Sequence, residues 1–127
     1  MKKDGKYAFI LDRDEFVGLS LVKILQKYGF QVEKIEDLSS LTGRKRDITH
    51  GIVLADVEVE VLEKEAHLLK GSEDHFVLMS PHITDELKIR LKKLGIRRIM
   101  RKPVEPRVLK RVIRGICPEQ EEGGEST

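Results

Sequence analysis

The chain has 127 residues, of which 39% are hydrophobic, 36% charged and 5% aromatic, and its formal net charge is +2. This length suits one compact domain, and the composition is that of an ordinary globular protein. A single cysteine, Cys117, excludes an internal disulfide. No apolar run is long enough for a signal peptide or a membrane-spanning helix. We therefore expect a soluble, cytoplasmic protein.

Short apolar segments alternate along the chain with segments of helical spacing. The apolar runs predict strands at 7–11, 29–35, 51–55, 75–79 and 96–100. Helices are predicted between and after them, with Gly29, Gly71 and Gly95 as C-terminal caps and Thr84 as an N-terminal cap. The second helix, roughly 37–42, is the weakest, and a basic loop, GRKRD, is expected after it. The alternation predicts an α/β fold, a doubly wound five-stranded parallel sheet.

Charge is distributed unevenly along the sequence. Segment 88–114 carries 12 of the 24 Lys and Arg residues and one acid, Glu105. The last residues, PEQEEGGEST, are acidic and polar, a composition typical of disorder. We expect residues 1–116 to form the domain and residues 117–127 to be a disordered acidic tail or linker.

Chemically useful side chains follow four of the predicted strands. The first strand runs into the octet FILDRDEF, whose first carboxylate is Asp12; Asp56 closes GIVLAD, Ser80 closes FVLMS, and Lys102 follows the fifth strand. In a doubly wound sheet these strand ends share the edge where sites form. Two carboxylates, a hydroxyl and an ammonium can handle a phosphoryl group and a divalent cation. Each residue alone is typical of a turn or cap, so the indication comes from all four together.

These motifs resemble the receiver domain of two-component response regulators over about residues 6–116. The resemblance is carried by FILDRD, LQKYGFQV, GIVLAD, FVLMS and KKLGIRRIMRKPVEPRVL, with a Lys-Pro pair 22 residues beyond Ser80. It implies a flavodoxin-like (βα)5 receiver fold with strand order 2-1-3-4-5. It also implies a phosphorelay signalling module rather than an enzyme.

The resemblance implies a role for each matching residue. Asp56 corresponds to the acceptor of a phosphoryl group from a histidine kinase. Ser80 corresponds to the hydroxyl that turns towards that phosphoryl group, and Lys102 to the lysine that pairs with it. The bond before Pro103 would be cis, as is usual there. Ile99 stands where the family often has an aromatic residue.

The implied Mg²⁺ ligands are Asp12, Asp56 and the backbone carbonyl of Glu58. The family has two adjacent carboxylates after the first strand, whereas this chain has Asp12–Arg13. A guanidinium cannot coordinate a cation. At about 4 Å and an effective dielectric constant of about 20, a unit charge pair is worth about 4 kcal/mol. Arg13 would therefore weaken or abolish metal binding, which leaves Mg²⁺ or no cofactor as alternatives.

We hypothesise that Arg13 forms an ion pair with Asp56 or Glu58 and takes the place of the metal. In the alternative, Arg13 points into solvent and Mg²⁺ still binds weakly. The segment after Asp56, VEVEVLEKEAHLLK, also lacks the Met-Pro and Gly that are usual in the family.

Two other functions remain open. The Asp12-x-Asp14 pair resembles the nucleophile and general acid of haloacid-dehalogenase-type phosphatases, although the segment after Lys102 offers only Glu105 as a further carboxylate. The third possibility is an interaction module that works without phosphorylation.

The resemblance implies signalling through the surface of the fourth helix, fifth strand and fifth helix, which is basic here. A histidine kinase, another acidic signalling protein or a second copy of the chain would bind there, and no membrane is involved. Recognition of nucleic acid is not favoured, because no aromatic residues interleave with the cations. The predicted interaction face comprises Lys88, Lys92, Arg97, Arg98, Ile99, Arg101, Arg107, Lys110 and Arg111.

Overall fold

A computed structural model describes residues 6–118, in which five parallel strands form one sheet between helices. The strands are β1 (Lys6–Leu11), β2 (Phe30–Lys34), β3 (Ile52–Ala55), β4 (Phe76–Ser80) and β5 (Arg98–Arg101). The helices are α1 (Glu15–Lys27), α2 (Lys45–Thr49), α3 (Val59–Glu65), α4 (Asp85–Lys93) and α5 (Pro106–Ile116). Short 3-10 turns span Leu38–Leu41, Ala66–Leu69 and Glu73–His75. The sheet order β2-β1-β3-β4-β5 confirms the predicted fold and the order that the resemblance implies.

The sheet is buried on both faces, which explains the nearly continuous apolar strands. Side chains alternate between faces along a strand. On β1, Phe9 and Leu11 enter the core on one face, whereas Ala8 and Ile10 enter the core on the other. All four residues of β3 are buried for the same reason.

The predicted cap residues lie at the ends of helical segments, although α3 ends at Glu65 and Gly71 follows the 3-10 turn Ala66–Leu69 instead. Gly29, Gly71 and Gly95 all have φ between 84° and 89°, the left-handed conformation that glycine adopts without strain. Thr84 caps α4, since its hydroxyl accepts a hydrogen bond from Leu87 N at 3.1 Å. The Lys102–Pro103 bond is cis, as the resemblance implies.

The second helix lies later than predicted. A 3-10 turn, Leu38–Leu41, replaces the helix expected at 37–42, and α2 begins within the segment predicted as a loop. Ile48 explains the shift, because it is fully buried in the core and brings the basic segment onto the sheet.

Arg44 fastens that segment to the strands. Its guanidinium donates two hydrogen bonds to Glu33, at 2.9 and 3.0 Å, and one to Asp47 at 2.9 Å. The same group lies over the rings of Tyr7 and Phe9, 5.5 and 4.9 Å from their centroids. Glu33, Tyr7 and Phe9 are distant from Arg44 in sequence, so no local sequence pattern predicts its contacts with them.

The ordered core extends slightly beyond the predicted boundary at residue 116. Cys117 is buried and packs in the core on the α1 and α5 side of the sheet. Residues 119–127 of the predicted tail lie outside the described residues. Within 6–118, none of the helices has the length and apolarity needed to cross a bilayer.

Replacing Gly51 by alanine should destabilise the fold. A Cβ atom there would lie 1.9 Å from the backbone oxygen of Tyr7, which cannot move without distorting β1. We expect the Gly51→Ala variant to lose about 3 kcal/mol of unfolding free energy, measured by urea denaturation.

The matched control is Gly115→Ala on α5. Its Cβ would meet only the guanidinium of Arg98, at 3.4 Å, and alanine favours helix, so stability should stay the same or rise by up to about 1 kcal/mol. Equal midpoints and slopes for the two variants would contradict the close approach at Gly51.

Candidate functional site

Two of the predicted carboxylates leave adjacent strands side by side. Leu11 at the end of β1 pairs with Ala55 at the end of β3, so the next residues, Asp12 and Asp56, emerge together. The amide of Asp56 donates a hydrogen bond to Leu11 O at 2.8 Å, which extends the ladder by one step. The strand register therefore sets the spacing of the two acids.

Lys102 joins these carboxylates. Its ammonium lies 2.5 Å from Asp56 Oδ2 and 2.9 Å from Asp12 Oδ2. The side chain of Asp12 is 1% exposed, that of Lys102 13% and that of Asp56 23%. The carboxylate of Asp12 is therefore shielded from solvent, whereas that of Asp56 is partly accessible.

The contacts of Lys102 with the two acids differ in kind. The ammonium donates a hydrogen bond to Asp56. Asp12 Oδ2 receives no hydrogen bond of good geometry, so the closeness of the ammonium there makes an ion pair. Burial lowers the pKa of Lys102, but its contacts with Asp56 and Asp12 outweigh burial and leave that pKa above its ordinary value.

A cavity of about 470 Å³ opens beside Asp56. It lies between the loop before α3 and the loop before α4, and charged side chains surround an apolar floor that includes Leu78. Ser80, predicted to act with Asp56, lines the same cavity.

Ser80 is turned towards its own loop. Its hydroxyl donates a hydrogen bond to His82 O at 2.9 Å and accepts one from His82 N at 3.2 Å. The structure therefore brings Ser80 to the cavity that Asp56 lines, with its hydroxyl bonded to the loop.

Arg13 lies at the rim of this cavity. Its Nη2 atom is 3.9 Å from Glu58 Oε2, and the two side chains are 79% and 66% exposed. Of the two partners we hypothesised, Glu58 is the one it contacts, and such an exposed pair contributes little to stability. The cation that lies between Asp12 and Asp56 is Lys102.

Asp14 has a structural position. Its Oδ1 atom accepts hydrogen bonds from Phe16 N at 3.0 Å and Val17 N at 3.4 Å, which caps α1. Its own amide donates to Asp12 Oδ1 at 2.9 Å. A carboxylate held at a helix start in this way is poorly placed as a general acid, which argues against the phosphatase interpretation.

No family model matches the sequence, and no curated protein matches it either. The structure does match solved structures. A CheY-like receiver domain protein from Methanospirillum hungatei has 23% identity, covers 94% of this chain and 98% of its own, and gives a TM-score of 0.68. A two-component response regulator from Clostridium difficile has 13% identity, with coverage of 89% and 96% and a TM-score of 0.73. The chain has the receiver fold.

A chemotaxis protein from Vibrio cholerae gives a similar match, with 16% identity, coverage of 88% and 98%, and a TM-score of 0.68. At these identities the likeness establishes the fold, and the roles of individual residues depend on the geometry of this chain.

The donors of this site do not fit Mg²⁺, which needs a near-octahedral set of oxygens at about 2.0–2.1 Å. The carbonyl of Glu58, the third predicted ligand, accepts hydrogen bonds from Val61 N at 3.0 Å and Leu62 N at 3.2 Å in the first turn of α3. The buried oxygen of Asp12 faces the ammonium of Lys102. Within residues 6–118, no three His, Cys, Asp or Glu side chains form a group that could hold a metal ion.

The sequence did not single out two residues beside the site. His82 holds the hydroxyl of Ser80 through backbone atoms, so its side-chain type carries no signal. Arg90 lines the cavity and donates hydrogen bonds to Glu63 on α3, at 2.9 and 2.6 Å. In the sequence, Arg90 was counted only among the cations of segment 88–114. Glu60 and Glu63 share one face of α3, and that spacing could have indicated an ion pair.

Some residues of the predicted interaction face already have partners within the chain. Arg97 forms an ion pair with Asp74 at 2.9 Å, and Arg98 donates to the backbone oxygen of Asp74 at 3.2 Å. Ile99 is half-buried against the core. The remaining cations of the face are exposed, namely Lys88, Lys92, Arg101, Arg107, Lys110 and Arg111.

Replacing Lys102 by methionine should destabilise the fold. The change leaves two close carboxylates without their shared cation, and we expect a loss of about 2 kcal/mol in unfolding free energy at pH 7. Because the folded-state pKa of Lys102 lies above its ordinary value of 10.5, the ion pairs act fully below pH 10.5 and are lost as pH rises through that higher pKa.

The measurement is urea denaturation between pH 7 and pH 10. The difference from wild type should stay constant over that range, and Lys23→Met on the exposed face of α1 should change stability by no more than about 0.5 kcal/mol. An equally stable Lys102→Met variant would show that the contacts do not hold the site together.

Proposed function

We propose that this chain is an atypical receiver domain in two-component signal transduction, with Asp56 as the phosphoryl acceptor and protein binding as its output. The observation that supports the proposal is the contact of Lys102 with Asp56. It ties a partly exposed carboxylate at the end of the central strand to a cation, at the mouth of a cavity that Ser80 also lines.

The proposed reaction is a transfer between nucleophiles. A carboxylate oxygen of Asp56 forms a bond to phosphorus while the phosphorus–nitrogen bond of a kinase phosphohistidine breaks, and the released imidazole nitrogen takes up a proton from water. The product is an acyl phosphate on Asp56. Lys102 would stay beside the new phosphoryl oxygens, and Ser80 could reach them by exchanging His82 O for a phosphoryl oxygen.

Acetyl phosphate tests the acceptor role without a kinase. We expect wild-type protein to gain one phosphoryl group, seen by intact mass, and Asp56→Asn to gain none. Asp85→Asn, a matched change on the exposed first turn of α4, should behave as wild type. Absence of any mass gain in folded wild-type protein, with and without Mg²⁺, would contradict the acceptor role.

A second candidate is an interaction module that works without phosphorylation. The observation that favours it is that Lys102 already neutralises charge at Asp12 and Asp56, in a site whose donors do not suit Mg²⁺. In that case the acetyl phosphate experiment gives no mass gain, while the fold and its basic surface remain.

In both cases an acidic protein surface, such as that of a histidine kinase, is the proposed partner of the α4–β5–α5 face. The exposed cations there are Lys88, Lys92, Arg101, Arg107, Lys110 and Arg111. Two copies of a face of one charge repel each other at low ionic strength, so self-association through it is the less favoured arrangement.

A further inference from the structure

We propose that Arg13 and Lys102 act as internal cations in place of Mg²⁺, so that this receiver excludes divalent cations from the site at Asp56. The inference rests on the proposed function, because it concerns the cations that surround the proposed phosphoryl acceptor, Asp56.

The first step is the place of Lys102. Its ammonium lies within 2.9 Å of one oxygen of Asp12 and within 2.5 Å of one oxygen of Asp56. One oxygen of each acid is therefore already paired with a cation, and a divalent cation drawn to these carboxylates would compete with Lys102 for their negative charge. It would have to displace the ammonium of Lys102, and the two positive charges would then repel each other.

The second step is the charge around the site. Asp12, Asp56 and Glu58 are three carboxylates, and Lys102 and Arg13 are two cations, so the group carries one net negative charge. An aspartate at position 13 would bring the net charge of the same group to minus three. Coulomb energy falls only with the inverse of distance, so a charge at the cavity rim acts on a dication inside.

The third step is the carbonyl of Glu58. It already accepts hydrogen bonds from Val61 N and Leu62 N, and only residues 56–58 separate β3 from α3. A loop this short cannot turn that oxygen towards Asp56 without opening the first turn of α3. The backbone oxygen implied as a ligand is thus already engaged, and position 13 holds Arg13 in place of the second carboxylate.

Arg13 allows a direct test, because it is 79% exposed and its contact with Glu58 is 3.9 Å long. The Arg13→Asp variant should therefore fold. The control is Arg46→Asp, which makes the same charge change at an exposed position of α2 away from the cavity. Each protein is titrated with MgCl₂ by isothermal calorimetry, and its melting temperature is compared in MgCl₂ and in NaCl of equal ionic strength.

We expect wild-type protein and Arg46→Asp to show no Mg²⁺ binding and no shift specific to Mg²⁺. The Arg13→Asp variant should bind Mg²⁺ with an affinity at least about tenfold above the weakest that the calorimetry detects, and should melt at a higher temperature in MgCl₂. A further change, Asp56→Ala in the Arg13→Asp background, should remove that binding.

Two results would overturn the inference. One is millimolar or tighter Mg²⁺ binding by wild type that disappears in Asp56→Ala. The other is an Arg13→Asp variant that folds and gains no affinity, which would mean that Arg13 does not exclude the metal. If circular dichroism shows that Arg13→Asp is unfolded, Arg13→Gln replaces it, with a smaller gain expected and the same two outcomes.

The acetyl phosphate experiment separates this inference from the proposed function. Phosphorylation that proceeds equally in EDTA and in MgCl₂ supports both. Phosphorylation that requires Mg²⁺ supports the acceptor role of Asp56 and overturns the internal cations. No phosphorylation under either condition overturns the acceptor role alone, and the calorimetry then decides the inference.

Discussion

The contact of Lys102 with Asp12 and Asp56 is the constraint on which the site depends. It joins the ends of β1, β3 and β5 across the sheet, so it draws three separate segments to one point. Removing one partner of such a pair leaves charge in a partly closed site, which is more costly than the net worth of the pair itself. The cavity beside Asp56 lies between the loops before α3 and α4.

The sequence was enough to predict that these residues would meet, because parallel strands end at a common edge and each residue follows a strand directly. It was not enough to predict their contacts. The hydroxyl of Ser80 faces His82 because of the conformation of one loop, and Arg13 reaches Glu58 because α3 begins early. The misplaced second helix also depends on contacts distant in sequence, since Ile48 is buried in the core and Arg44 beside it is held by Glu33 and Phe9.

The loop after β4 links the cavity to the basic face. Ser80 bonds to His82 on one side of this loop, and Arg101 of β5 donates a long hydrogen bond, 3.4 Å, to Pro81 O on the other. A hydroxyl that left His82 for a new acceptor near Asp56 would release a turn in contact with the basic surface. This is a physical route from site to surface with few intermediates.

The cations around Asp56 determine how well the site could neutralise a phosphoryl group. A phosphoryl group carries up to about two negative charges, which the single ammonium of Lys102 would not neutralise. Two further cations, Arg13 and Arg90, line the cavity, and the ion pair of Arg13 with Glu58 is long and exposed and therefore costs little to break. Arg90, in contrast, is held by short hydrogen bonds to Glu63 and is less free to move. Of these two cations, Arg13 is thus the freer to respond to new charge at Asp56, and its positive charge would favour the phosphoryl group that we propose there.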